Sequence, residues 1–209
     1  MSVVDGIAIV PMGTNSLHLR VEGYHPAVLA AAVRALNISG VSDVVPAQAT
    51  LLVRCESDFA RNEVIARLEE AANAVDHAQP SVVRSPIEIV VRYDGEDLPD
   101  IAKHCGISIE ETINRHVAGA YVAEFCGFAP GFAYLSGLDP VLHLPRRDTP
   151  RTRVPAGSVS IAAMYSAVYP SASPGGWHLI GTTTAPVWDL KRSPPALIEP
   201  GQHVRFIRE

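Results

Sequence analysis

The chain begins with short runs whose apolar residues return at every second position. Leu17, Leu19 and Val21 alternate with His18 and Arg20, the period of a half-buried strand, after a turn spanning Pro11 to Asn15. The period then lengthens. Pro26 can start a helix running through Val28 to Leu36, rich in alanine and leucine, with Asn37 and Gly40 as stop signals. Val41 to Val45 and Thr50 to Val53 read as a hairpin around Pro46-Ala47-Gln48. Asp58 is placed to cap a second helix, in which Phe59, Val64, Ile65, Leu68, Ala71 and Ala72 keep a helical period as far as about Val75. Strands and helices interleaved in this way predict a small α+β unit with both helices on one face of a sheet.

The stretch from His77 to Pro86, with prolines and serines at 80, 81, 85 and 86, is the expected linker, which puts the domains at 1–80 and 81–209. Beyond it, Ile87, Ile89 and Val91 open a new strand. A helix from Leu98 to Cys105 is closed by Gly106, and Ser108 with Glu111 forms a capping-box signature for another running to about Val117. From Ala120 onward the chain predicts short β runs at 121–125, 158–163, 178–182 and 203–207, separated by proline and glycine turns. That spacing suits a barrel or a sandwich, and the fold class is α+β.

Composition narrows the function. Of 209 residues, 47% are hydrophobic and 19% charged, as in a folded globular protein, and the formal net charge of −5 argues against a nucleic-acid phosphate footprint. The sequence shows neither a signal-peptide pattern at Met1–Asp5 nor an apolar run approaching the roughly twenty residues of a membrane span, so a cytoplasmic chain without membrane contact is expected. Three widely spaced cysteines, Cys55, Cys105 and Cys126, suggest neither a disulfide framework nor a metal site, and no histidine pair has metal-ligand spacing.

The segment from Gly127 to Gly181 departs from any simple period. Its Pro-Gly and Gly-Gly steps make tight turns, and Phe128, Phe132, Tyr134, Tyr169 and Trp177 offer faces for a pocket or for a core. Arg146, Arg147, Arg151 and Arg153 crowd into a short stretch of an acidic chain. Arg147 and Arg151 are the candidate anion ligands, the alternative being pairing with acidic neighbours such as Asp148. Pro155-Ala156-Gly157-Ser158 could aim successive backbone N–H groups and the Ser158 hydroxyl at an anion, or could simply turn into a strand. Ser158 lacks the Gly-x-Ser-x-Gly setting of a hydrolase nucleophile. His116 is either a ligand-orienting group or a histidine favoured by the dipole at a helix C-terminus.

The order Gly127-Phe128-x-Pro130-Gly131-Phe132-x-Tyr134-Leu135, Pro145-Arg146-Arg147, Pro150-Arg151, Val154-Pro155-Ala156-Gly157-Ser158-Val159, Tyr169-Pro170 and Ser173-Pro174-Gly175-Gly176-Trp177 resembles the allophanate hydrolase subunit 1 family. That family also covers the B-type subunit of 5-oxoprolinase and a sporulation kinase inhibitor type. The resemblance extends from about Ile87 to Phe206 and is weaker over the first eighty or so residues.

It implies a cyclophilin-like β-barrel for the second domain and a subunit of an ATP-dependent 5-oxoprolinase, which opens pyroglutamate to glutamate. It also implies an allophanate hydrolase subunit 2-like partner and a third, hydrolase-like subunit. The alternative is a non-catalytic module that binds a histidine kinase; prolyl isomerisation rests on fold analogy alone. The sequence has no Gly-x-x-x-x-Gly-Lys-Ser/Thr loop, so any ATP site would be unconventional or shared. One departure concerns the family's Gly-x-Gln-Thr-Gly, where this chain has Ala163-Met164-Tyr165-Ser166-Ala167 and a phenol replaces an amide.

Overall fold

A computed structural model of the chain describes residues 2–4, 6–75 and 85–209. The chain divides into two compact units, Met1–Val82 and Val83–Glu209. All but two residues of the expected linker at 77–86 lie outside the described residues; Ser85 and Pro86 are exposed.

The first unit is an antiparallel sheet of β1 (Ser2–Val4), β2 (Ile7–Met12), β3 (Ser16–Val21), β4 (Val41–Pro46) and β5 (Thr50–Cys55), in the order β1-β2-β3-β5-β4. Helix α1 (Pro26–Ala35) packs on β4 and β5, α2 (Asp58–Ala66) on β5, and α3 (Leu68–Ala74) on α1. Leu17, Leu19, Leu51 and Val53 bury one sheet face against Leu29, Val33, Leu68 and Ala71. The N-terminal strand pair carries no clear sequence signal, and β2 continues through Pro11 and Met12, which pair with Leu17 and Ser16 where a turn was expected.

The expected single helix from Asp58 to Val75 is two helices, and its cap is Ser57, whose hydroxyl accepts from the Ala60 amide at 3.2 Å. The break falls at Arg67, whose guanidinium holds both oxygens of Glu70, at 2.8 and 3.0 Å, and donates to the Leu36 carbonyl at 3.2 Å.

The second unit is a barrel. Its strands are β6 (Ile87–Val91), β7 (Tyr121–Cys126), β8 (Ala133–Ser136), β10 (Ser158–Ala162), β11 (Tyr165–Val168), β13 (His178–Thr182) and β14 (His203–Arg208), in the order β13-β10-β11-β8-β7-β14-β6. Arg92, just past β6, exchanges both backbone hydrogen bonds with Thr182 of β13, at 2.9 and 2.8 Å, and so joins the two edge strands. Closure removes the unpaired edge that an open sheet would expose. Helices α4 (Leu98–Cys105) and α5 (Ile109–Val117) pack on β13 and β14. A separate ribbon pairs β9 (Arg151–Val154) with β12 (Ser173–Gly175).

Every residue of β10 and β11 is buried, so these strands show no polar alternation. Val159, Ile161 and Val168 join the barrel core with Ile89, Leu135, Ile180 and Phe206. The intervening Ala162, Tyr165 and Ala167, with Tyr169 just beyond β11, join a second cluster with Phe132, Val154, Trp177 and Leu179. The β10–β11 wall therefore has the barrel core on one face and an aromatic layer on the other.

Candidate functional site

Strand alternation builds the aromatic layer. With Leu135 turned into the barrel, Tyr134 emerges on the outer face; with Ile180 inward, Leu179 lies outward. Phe132 meets Tyr134, Tyr169 and Trp177 edge-on at ring separations of 5.1, 5.4 and 5.5 Å, and Tyr134 stacks on Phe125 at 4.2 Å. Tyr165 packs into this layer, edge-on to Phe125 and Tyr134. Gly175 lets the β12 ribbon lie on Tyr169, since a Cβ there would sit 2.3 Å from the phenol oxygen. A cavity of about 150 Å³ remains, lined by Phe128, Phe132, Tyr134, Tyr169, Trp177 and Arg146. All five aromatic candidates thus converge: Phe128, Phe132, Tyr134, Tyr169 and Trp177.

Arg147 and Arg151 converge on a residue that the sequence pattern does not single out. Asp97, only 2% exposed, accepts from Arg147 Nη1 at 2.7 Å and from Arg151 Nη2 at 2.8 Å on Oδ1, and from the Leu179 amide at 2.6 Å on Oδ2. Arg151 Nε also reaches Glu96 at 2.7 Å. Burial pushes the Asp97 carboxyl up, but the Arg151 hydrogen bond, the Leu179 amide and the arginine charges outweigh it and hold it below the ordinary value. The expected anion ligands are thus committed internally, and the acid they pair with is Asp97 rather than Asp148. Their pairing, together with bonds from the Arg147 amide to Gly176 O and from His178 Nε2 to Pro145 O, pins the 145–151 segment against β13 and the residues before it.

The turn at Gly157 does not form an anion cradle. Its amide donates to Tyr169 O at 2.8 Å and the Ser158 amide turns back to Pro155 O at 3.4 Å, while Ser158 itself is buried. Gly157 adopts φ +79° with the Thr183 carbonyl 2.4 Å from where a Cβ would stand, so the turn serves the strand.

His116 is likewise a core group, 1% exposed. The Ser166 hydroxyl donates to Ser160 O at 3.2 Å, so Ser166 Oγ accepts from His116 Nε2–H at 2.8 Å. Nδ1 is then left to accept from the Tyr93 hydroxyl, also at 2.8 Å. Burial pushes its pKa down to about 3, so the ring is neutral and fully bonded, neither exposed to a ligand nor placed as a helix-end cation.

Among the described residues, no group of three or more His, Cys, Asp or Glu is placed to hold a metal ion, and no helix is long and apolar enough to cross a membrane. Arg146, exposed and in no ion pair among the described residues, lines both the aromatic cavity and a neighbouring cleft of about 220 Å³.

Residues 7–198 match the family profile described as carboxyltransferase domain, subdomain C and D. The chain is 48% identical over 124 residues to the B-type subunit of 5-oxoprolinase from Escherichia coli O157:H7, covering 58% of this chain. It is 41% identical over 151 residues to the corresponding 5-oxoprolinase subunit of Bacillus subtilis strain 168, covering 71%. The match spans 57% and 61% of the length of these relatives. The crystal structure of TTHA0988 is similar at a TM-score of 0.80 and 34% identity, over 94% of this chain and 40% of that one.

Proposed function

The chain belongs to the family that unites the B-type subunits of 5-oxoprolinase with allophanate hydrolase subunit 1, and on that premise we propose that it is one subunit of a multi-subunit, ATP-dependent 5-oxoprolinase. The observation that carries the reading is the union of that relationship with one place on the barrel. The aromatic cavity and the polar cleft beside it share Arg146, a free guanidinium suited to the single carboxylate of 5-oxoproline.

The division of labour follows from which groups are spent. A triphosphate needs several free cations or amides, but Arg147 and Arg151 are neutralised by Asp97 and Glu96, and the Gly157 and Ser158 amides are bonded within the fold. These residues do not fit the nucleotide, so ATP binding falls to the partners: an allophanate hydrolase subunit 2-like protein and a third, hydrolase-like subunit. This chain contributes walls that exclude water and a cation that orients the lactam acid.

Such a composite site makes the chain inactive alone. The test compares ATP-dependent glutamate release by the purified single chain with that by the chain co-purified with its partners. Turnover by the single chain sinks the composite site. Recovery of a histidine kinase as the only stable partner would favour the kinase-binding alternative.

A further inference from the structure

Phe128 is held where folding gains little from it. Its backbone has φ +69°, a region that a bulky side chain enters only at a cost, and its ring is 61% exposed, so burial does little to offset that cost. The conformation is nonetheless fixed. The Ala129 amide donates to the Gly127 carbonyl at 2.8 Å, a three-residue turn with Phe128 at its centre, and the Phe132 amide donates to the Ala129 carbonyl at 3.0 Å across Pro130 and Gly131. The Gly127 amide closes the loop on the Phe132 carbonyl at 3.1 Å.

What that turn achieves is the position of the ring. It stands edge-on to Phe132 and Tyr169, at 5.1 and 6.2 Å, and is the most exposed of the five rings around the cavity of about 150 Å³. Phe132, Tyr169 and Trp177 lie buried behind it. Arg146 is the one charged residue among those lining this cavity, and it is exposed. Aromatic faces with a single cation beside them suit an uncharged body that carries one carboxylate. The acids Asp100 and Asp148 line the neighbouring cleft instead, so a monoanion is better matched here. The volume is below the roughly 300–1,000 Å³ of drug-sized sites, which limits that body to one small ring.

We propose that Phe128 is the specificity-determining residue of this cavity: its fixed ring is the outer wall against which a small uncharged ring lies flat while that ring's single carboxylate meets Arg146. The same cavity rejects an open-chain amino dicarboxylate, because its ammonium group is repelled by Arg146 and its second carboxylate finds no second cation. The cavity therefore holds a lactam acid and releases the ring-opened product. Naming the two as 5-oxoproline and glutamate rests on the oxoprolinase reading, whereas the preference for a small ring monocarboxylate rests on the cavity and the Phe128 turn.

The experiment follows the Trp177 indole N–H resonance of the full chain as 5-oxoproline, cyclopentanecarboxylate or glutamate is added. The two ring acids should shift it and glutamate should not. Phe128→Gly removes the ring and accepts the positive φ, so this variant should unfold at a similar temperature yet bind both ring acids about tenfold more weakly. Phe128→Tyr, which keeps the aromatic face, should retain their affinity. If Phe128→Gly does not fold, Phe128→Leu, apolar but without a flat face, takes its place with the same expected loss. Unchanged affinities in the variant without the ring, an equal response to glutamate, or no response to any ligand overturns the proposal.

The two readings fail separately. Selective binding of the ring acids with no turnover by the assembled subunits keeps the cavity and removes the oxoprolinase. Turnover with the same KM for 5-oxoproline in the wild-type chain and in Phe128→Gly keeps the oxoprolinase and removes the role of Phe128.

Discussion

Acid should destabilise the barrel through a single buried imidazole before its carboxylates titrate. His116 is held neutral between Tyr93 and Ser166, and burial lowers its pKa from the ordinary 6.5 to about 3. Below pH 6.5 the unfolded chain takes up a proton that the folded chain refuses, so the stability conferred by the neutral ring is intact above 6.5 and lost as pH falls toward 3. At 1.36 kcal/mol per pH unit the full span is about 5 kcal/mol, and between pH 7 and pH 5 the loss is about 2 kcal/mol. Both tryptophans, Trp177 and Trp188, lie in the barrel unit, so their fluorescence follows its unfolding in urea without interference from the first unit. The comparison is with His116→Gln, which gives up ring hydrogen bonds and starts less stable but has nothing to titrate. Between pH 7 and pH 5 the wild-type chain should lose about 2 kcal/mol more than the variant. Equal losses in the two proteins would refute the assignment of His116 as a buried neutral base.

Other substitutions test the packing around the cavities. Asp97→Ala strands the Arg147 guanidinium, leaves Arg151 only its Glu96 partner, and should cost about 3 kcal/mol in urea unfolding at pH 7. Because the Asp97 carboxyl is held below its ordinary value, its contribution is present above pH 3.8 and lost as pH falls through the lower, folded value. Gly157→Ala forces a Cβ to 2.4 Å from the Thr183 carbonyl at positive φ, and a loss of about 1–3 kcal/mol is expected from the thermal midpoint. Phe132→Ala removes the ring that contacts Tyr134, Tyr169 and Trp177, and should cost about 3–5 kcal/mol together with a shift in tryptophan emission.

Helices α4 and α5 were legible because their ends carry local chemistry. Ser108 caps α5 through the Glu111 amide at 3.0 Å, and Gly106 takes the left-handed turn that closes α4. The strands β8, β9, β11 and β12 were not legible, being three or four residues long, and β11 is buried on both faces, which erases the two-residue period. The aromatic residues of the cavity could be picked out by type, but their convergence depends on which side of the β10–β11 wall each one faces.

Asp97 was hidden for another reason. An acid just before a Leu-Pro helix start reads as an N-cap, yet its side chain makes no capping bond and instead meets arginines 50 and 54 positions away. Sequence proximity suggested Asp148 as the partner, and only the closed barrel brings the α4 start beside the 147–151 segment. His116 was placed correctly at a helix end, but the position said nothing of the neighbours that bury it.

The central claim, that this chain is an obligatory part of a 5-oxoprolinase, is tested most directly by omission. Glutamate formation from 5-oxoproline and ATP is followed with the full set of co-purified subunits, and again with this chain left out and then restored. Turnover in the full set, none on omission, and recovery when the purified chain is added back are the predicted results. Turnover that persists without the chain, or no glutamate from any combination, contradicts the claim.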